Sequence, residues 1–355
     1  MLALHKLLIF ITALKVAQGS IGDRLDEFIE CTEDCQAVMK CPGFDEQLSM
    51  SFIDESQSGF YHASSLSRNL LLWDCASHCD YQCQHIITKM RIQNGEPIVQ
   101  FHGKWPFKRI FGMQELFSTV FSMANFMPHY RGYQLLQREI RSSSSSHRNV
   151  RSVLNKYLYV AIAGMLAWSS STIFHFRDLE ITEKLDYFFA GATVLSGFHA
   201  ILIRVARLDR QNTYRHLVSG LVVLIFGMHI VRQYLDWSYT YNMRFNVFFG
   251  VLQYVLLLLL ASKNYRRLAL GRMPRKAHYM PRQSMIFKLC VVPVALVVST
   301  SLFMSCELFD FFSYRWQIDA HAIWHACTVL PSWKLYDFFL DDYHYLDACD
   351  RDNED

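Results

Sequence analysis

Five polar residues in an otherwise apolar half of the chain could do chemistry together. Ser171 and His175 lie in SSSTIFHFRDLEITEKLDYFF, which also holds Asp186. His321 and His325 lie in DAHAIWHA, well over a hundred residues later. Ser171 to His175 is an i, i+4 step, and so is His321 to His325, so each pair shares one face of a helix. Three neutral imidazoles suit zinc and leave a fourth position for water. Such a metal lowers the pKa of its water toward about 7. Asp186 could hold or deprotonate that water, and Ser171 could hydrogen-bond the water or a developing oxyanion. Each residue also has a plainer reading. A histidine at a helix end is commonly an interfacial hydrogen-bonder, and Ser171 belongs to a Ser169–Thr172 run of the kind that packs helix interfaces. His199 and His229 also fall in apolar stretches and read as packing or helix–helix hydrogen bonds. Asp319, two residues before His321, could orient a ligand imidazole.

The elements that must position these groups are apolar helices. Seven stretches of about 20 residues lie near 107–127, 155–174, 185–206, 216–235, 244–262, 285–304 and 318–340. The first is the most polar, carrying Lys108, Arg109 and Glu115. In lipid only helices satisfy their own backbone without closing a barrel, so the expected fold is an all-α seven-transmembrane helical bundle. The loop after the first stretch holds six basic residues, that after the third four, and that after the fifth eight; the alternate loops together hold five. The excess places the first set in the cytosol. His175, Asp186, His321 and His325 then all reach the lumenal edge, with Ser171 one turn deeper.

Composition agrees. Of 355 residues 52% are hydrophobic and 19% charged, with a net charge of +3. Basic residues cluster between apolar runs and not along one helical face, which argues against nucleic acid as a partner. Residues 1–19 read as a cleaved secretory signal, with an apolar stretch from Leu7 to Leu14 too short to span a bilayer. Residues 20–104 form a polar segment holding six of the ten cysteines. In an oxidising lumen that even number implies disulfides. Cys31 and Cys35, and Cys75, Cys79 and Cys83, are spaced by four and line helix faces. If two such helices run antiparallel, the pairs are Cys31–Cys83, Cys35–Cys79 and Cys41–Cys75, one of fifteen connectivities. The remaining segments are the seven-span domain at 105–340 and an acidic cytosolic tail at 341–355. Gly271, Pro274 and Pro281 and the Ser142–Ser146 run mark linkers.

The S-x-x-x-H, the Asp eleven residues on and the H-x-x-x-H of the last stretch resemble the CREST superfamily of seven-span membrane hydrolases. With LLWDCASHCDYQC and ELFDFF added, the chain is most similar to the Per-like family, the post-GPI-attachment phospholipases A2. The resemblance spans about 20–340. It implies removal of the sn-2 acyl chain from the GPI anchors of proteins in the Golgi or endoplasmic reticulum, with GPI-anchored proteins and membrane lipids as partners. Carried over by position, His175, His321 and His325 bind Zn2+ and Ser171 and Asp186 assist catalysis. The loop FDFFSYRWQ departs from the family by lacking prolines. Alternatives from other classes are a ceramidase-like amidase and a non-catalytic, zinc-stabilised membrane chaperone or receptor.

Overall fold

The computed structural model describes residues 20–43, 59–142, 148–271 and 281–352. The expected signal, most of the serine run and Pro274 lie outside them. The chain is all-α, in two compact units.

The first unit runs to Leu116 and takes in 312–319, so it is longer than the cysteine segment expected from sequence. Its helices are α1 (Asp26–Val38), α2 (Ser65–Leu70) and α3 (Cys75–Gln93). Asp74 caps α3 by accepting from the Ser77 backbone N–H. All three expected disulfides are present, Cys31–Cys83, Cys35–Cys79 and Cys41–Cys75, stapling α1 to α3. Cys41, Cys75 and Cys79 are close enough to share a metal, but each is committed to a disulfide. Residues 101–116, expected in part as a first span, instead make two tight turns bridged at Phe101–Lys104 and Ile110–Met113. Lys108 and Arg109 explain why: the Arg109 guanidinium lies between the Trp73 and Tyr81 rings, 3.1 and 3.8 Å from their centroids. Where the family pattern expects prolines, β1 (Ser313–Tyr314) and β2 (Ile318–Asp319) pair as a short hairpin, with Arg315 and Trp316 at positive φ.

The second unit holds α4 (Leu116–Ser142, from Phe117), α5 (Arg148–Phe176), α6 (Glu180–Val205), α7 (Asn212–Leu235), α8 (Tyr239–Leu270), α9 (Arg282–Phe309) and α10 (Ala320–Arg351). Five of these, α5 to α9, are long and apolar enough to cross a membrane. α4 and α10 are as long but more polar, and α4 shows why. Ser118, Ser122, Asn125 and His129 recur at helical spacing and are buried, while Val120, Met123, Met127 and Tyr130 are exposed. The helix is polar inward and apolar outward, an arrangement that average hydropathy misses. A π-helical turn at Phe287–Val291 precedes Pro293 in α9, where the missing proline N–H breaks the regular ladder.

Sequence neighbours pack antiparallel, α5 against α6, α6 against α7 and α9 against α10, while α8 packs parallel to α6 and α10 returns against α5. At one end, Tyr157 stacks on Phe339 with ring centroids 3.9 Å apart. There, too, Asp342 accepts two hydrogen bonds from Arg204 (2.7 and 2.9 Å) and one from Tyr157 (2.8 Å). Arg207 and Arg210 hold Asp350. The stretch from 341, expected as an acidic tail, is helix to Arg351, its carboxylates paired with Arg204 of α6 and with Arg207 and Arg210 just beyond it.

Candidate metal centre

His175 closes α5, and His321 and His325 open α10, so the topology brings three histidines to the same end of the bundle. One ring nitrogen of each lies within 4.8 Å of the others. His175 Nε2 and His321 Nε2 are 3.3 Å apart. His175 and His325 are buried, and His321 is partly open.

The surrounding groups fix which nitrogens face inward. His321 Nδ1 is bonded to the Glu307 carboxylate, leaving Nε2 toward His175. His325 Nδ1 is 2.9 Å from Ser122 Oγ, leaving its Nε2 to the cluster. Ser122 Oγ donates to the Ser118 carbonyl (2.7 Å), so it is an acceptor toward His325 Nδ1–H. Ser171, buried one turn before His175, sits 3.0 Å from the same Ser122 oxygen. Asn125 donates to the His325 carbonyl and Thr328 donates to Asn125 Oδ1, tying α4 to the first turns of α10. The edge of Trp168 meets the His325 ring at 5.2 Å.

This donor set can hold a metal ion, and one of its separations matches the edge of a zinc tetrahedron. With Zn–N near ~2.1 Å, the edge of the tetrahedron is about 3.4 Å, and the Nε2–Nε2 separation is 3.3 Å. Two of the imidazoles already have their other nitrogen held by a side chain, which sets tautomer and ring orientation as metal sites require.

Ser171 and His325 thus share Ser122 in one hydrogen-bonded set, and His321 links Glu307 to His175 in a second beside it. Asp186 lies on the second turn of α6, half-buried. Its neighbour Tyr187 meets Phe174, beside His175, with ring centroids 6.3 Å apart. The Glu307 carboxylate is bonded to His321 Nδ1, and Asp319 is buried in β2 immediately before α10. Sequence reasoning missed Ser122 and Asn125. The signal was available in the 118, 122, 125, 129 spacing of polar residues within an apolar stretch. His199 donates or accepts across to Ser219 Oγ at 3.0 Å, a helix–helix hydrogen bond as expected. His229 has ring stacking on Phe245 instead.

Fold and centre together define an all-α protein of membrane-length helices with a buried cluster of three histidines able to hold a metal. The chain matches the profile of the Per1-like family over residues 65–343, and it belongs to that family. It is 54% identical to Protein PER1 of Saccharomyces cerevisiae over 92% of this chain and 93% of that one. It is 31% identical to Post-GPI attachment to proteins factor 3 of Drosophila melanogaster (90% and 87%). Against the protein named GPI-specific phospholipase A2-like PGAP3 of Homo sapiens the identity is 29% (96% and 95%). No solved structure matches.

Proposed function

We propose that this chain is a zinc-dependent phospholipase A2 that removes the sn-2 acyl chain from GPI anchors of proteins. The observation that carries the reading is the trio of imidazole nitrogens within 4.8 Å. The names of the relatives supply the lipid. His175, His321 and His325 hold the ion, which when bound supplies Lewis acidity and a water acidic enough to react at neutral pH. Ser171, whose hydroxyl donates to Ser122 Oγ at rest, turns it from Ser122 to the ester and donates to the developing oxyanion. Asp186 takes a proton from the attacking water. The water oxygen bonds to the carbonyl carbon, the acyl C–O bond breaks, and the proton passes to the leaving glycerol oxygen. Fatty acid and a lyso anchor result. In this reading the basic loops lie in the cytosol and the centre at the lumenal edge of a Golgi or endoplasmic reticulum membrane, with the N-terminus lumenal and the C-terminus cytosolic. At that depth an ester just below its headgroup reaches it.

The test is twofold. Purified wild-type protein should carry about one zinc per chain, and His175→Ala should lose it. In cells lacking the native enzyme, wild type should restore the lyso anchor, read by lipid mass spectrometry, and His321→Ala should not. Full remodelling by His321→Ala overturns the catalytic reading; sphingosine as product makes the chain a ceramidase-like amidase.

A further inference from the structure

Away from the histidine cluster, α7 is an outward-facing apolar helix with Leu217, Val223 and Met228 well exposed, yet the residues it fully buries are polar: His229 and Gln233. They are an i, i+4 pair on one face. α8 presents a second such pair, Asn242 and Asn246. The two helices are antiparallel and joined at 236–238, so Gln233 is level with Asn242 and His229 with Asn246.

These side chains do not satisfy one another. Among the described residues, both ring nitrogens of His229, Nε2 of Gln233, Oδ1 of Asn242 and Oδ1 of Asn246 are buried without a hydrogen-bond partner. His229 is 1% exposed and Gln233 0%. The Gln233 amide is oriented, because its Oε1 accepts from the Ser238 N–H, so its NH2 is the open end. On α6, Gly191 faces the same point. A methyl there would lie 3.3 Å from His229 Nε2 and 3.8 Å from Asn246 Oδ1. The imidazole stacks flat on Phe245, ring centroids 3.8 Å apart, which fixes the direction of its nitrogens.

Buried polar groups in apolar surroundings find partners, and in lipid no solvent comes to the helix face to supply them. The open groups are neutral and of both kinds, donors and acceptors. Arg232 is paired with Asp236, and Arg244 lies roughly 200° round α8 from Asn242. Among the described residues, none of the open groups there carries a charge to neutralise a cation or an anion. A hydroxyl can accept from Gln233 and from the imidazole N–H while donating to Asn242 or Asn246.

We propose that the junction of α6, α7 and α8 is a binding site for a neutral hydroxyl guest, held by His229, Gln233, Asn242 and Asn246 over Gly191. Two sources share this chemistry, trapped water and the hydroxyls of a lipid headgroup. Radiolytic hydroxyl labelling of the full-length protein in phosphatidylcholine nanodiscs tests it. His229, 1% exposed, should be oxidised well above Phe339, a ring buried as deeply in the core. Gly191→Ala, which fills the space, should bring that labelling down to the Phe339 level. Nanodiscs containing phosphatidylinositol separate the sources: loss of label there identifies headgroup hydroxyls, and unchanged label identifies water. Wild-type labelling no greater than at Phe339 overturns the site. Independently, Asn246→Leu should lower the melting temperature by about 2–4 °C, since it strips a partner from the guest. A rise would mean an empty pocket relieved of an unsatisfied amide, and would also overturn the proposal.

Discussion

Ser122 carries more of the centre than its residue type suggests. Its oxygen lies within hydrogen-bond reach of His325 Nδ1, Ser171 Oγ and the Ser118 carbonyl, so one hydroxyl orients a ligand ring and the neighbouring serine together. Ser122→Ala should therefore leave the fold intact and weaken zinc binding by about 10–100-fold, as for other groups behind a ligand. Competition with a chelating dye measures it. Ser171→Ala should separate the roles: zinc content unchanged, turnover reduced by about 10²–10³, the usual cost of one oxyanion donor. The pairs Ser171/His175 and His321/His325 were legible because a four-residue step in a helix is a local fact. Ser122 was not, because its partners are 49 and 203 residues away.

At the scale of elements, α4 approaches α5 and α10 closely enough that small residues are required. A methyl on Gly164 would lie 1.9 Å from His129 Nδ1, and one on Gly132 would lie 2.4 Å from the Tyr336 ring. These glycines seat a hydrogen-bonded row in which Trp168 Nε1 donates to His129 Nε2 and His129 Nδ1 meets the Tyr336 hydroxyl. Since indole only donates, Nε2 must accept and His129 is the neutral Nδ1–H tautomer. Gly164→Ala should destabilise by about 1–3 kcal/mol through overpacking. Gly220→Ala on α7, where nothing lies within 4 Å, should instead stabilise by about 0.4–1 kcal/mol. Thermal unfolding of the two variants, side by side, decides whether close approach or helix propensity governs each site. The inward polar face of α4 also explains why the expected first span began too early. An apolarity average read 107–127, whereas the helix starts at Leu116 with its apolar side turned outward.

Across the whole molecule, α10 has its histidines at one end and its ionic anchors at the other. Asp342 is fully buried against Arg204 and Tyr157, with Asn264 3.5 Å away, so α5, α6, α8 and α10 meet on one carboxylate. Arg204→Met should cost about 3–5 kcal/mol by stranding that charge, and Arg204→Met with Asp342→Leu should recover most of it. Denaturant titration of the double-variant cycle tests the pairing. Asp350 adds a pH dependence. Burial pushes its carboxyl pKa up, but hydrogen bonds from Arg207 and Arg210 outweigh this and hold it below the ordinary value. A depressed carboxyl contributes stability that is complete above its unfolded pKa, about 3.9, and is lost as pH falls through the folded value. The stability gap between wild type and Asp350→Asn should accordingly be full at neutral pH and close in acid.

The amino-acid sequence alone determined what is local: membrane-length helices, the two i, i+4 pairs, and cysteines spaced to line helix faces. Charge in the loops set which helix ends belong together. Tertiary structure decided what depends on the register between helices. It chose Glu307 as the partner of His321, brought Ser122 behind His325, and turned the acidic end of α10 into part of the core. Periodicity fixes which side chains share a face of one helix; which face meets its neighbour, and at what height, follows only from packing.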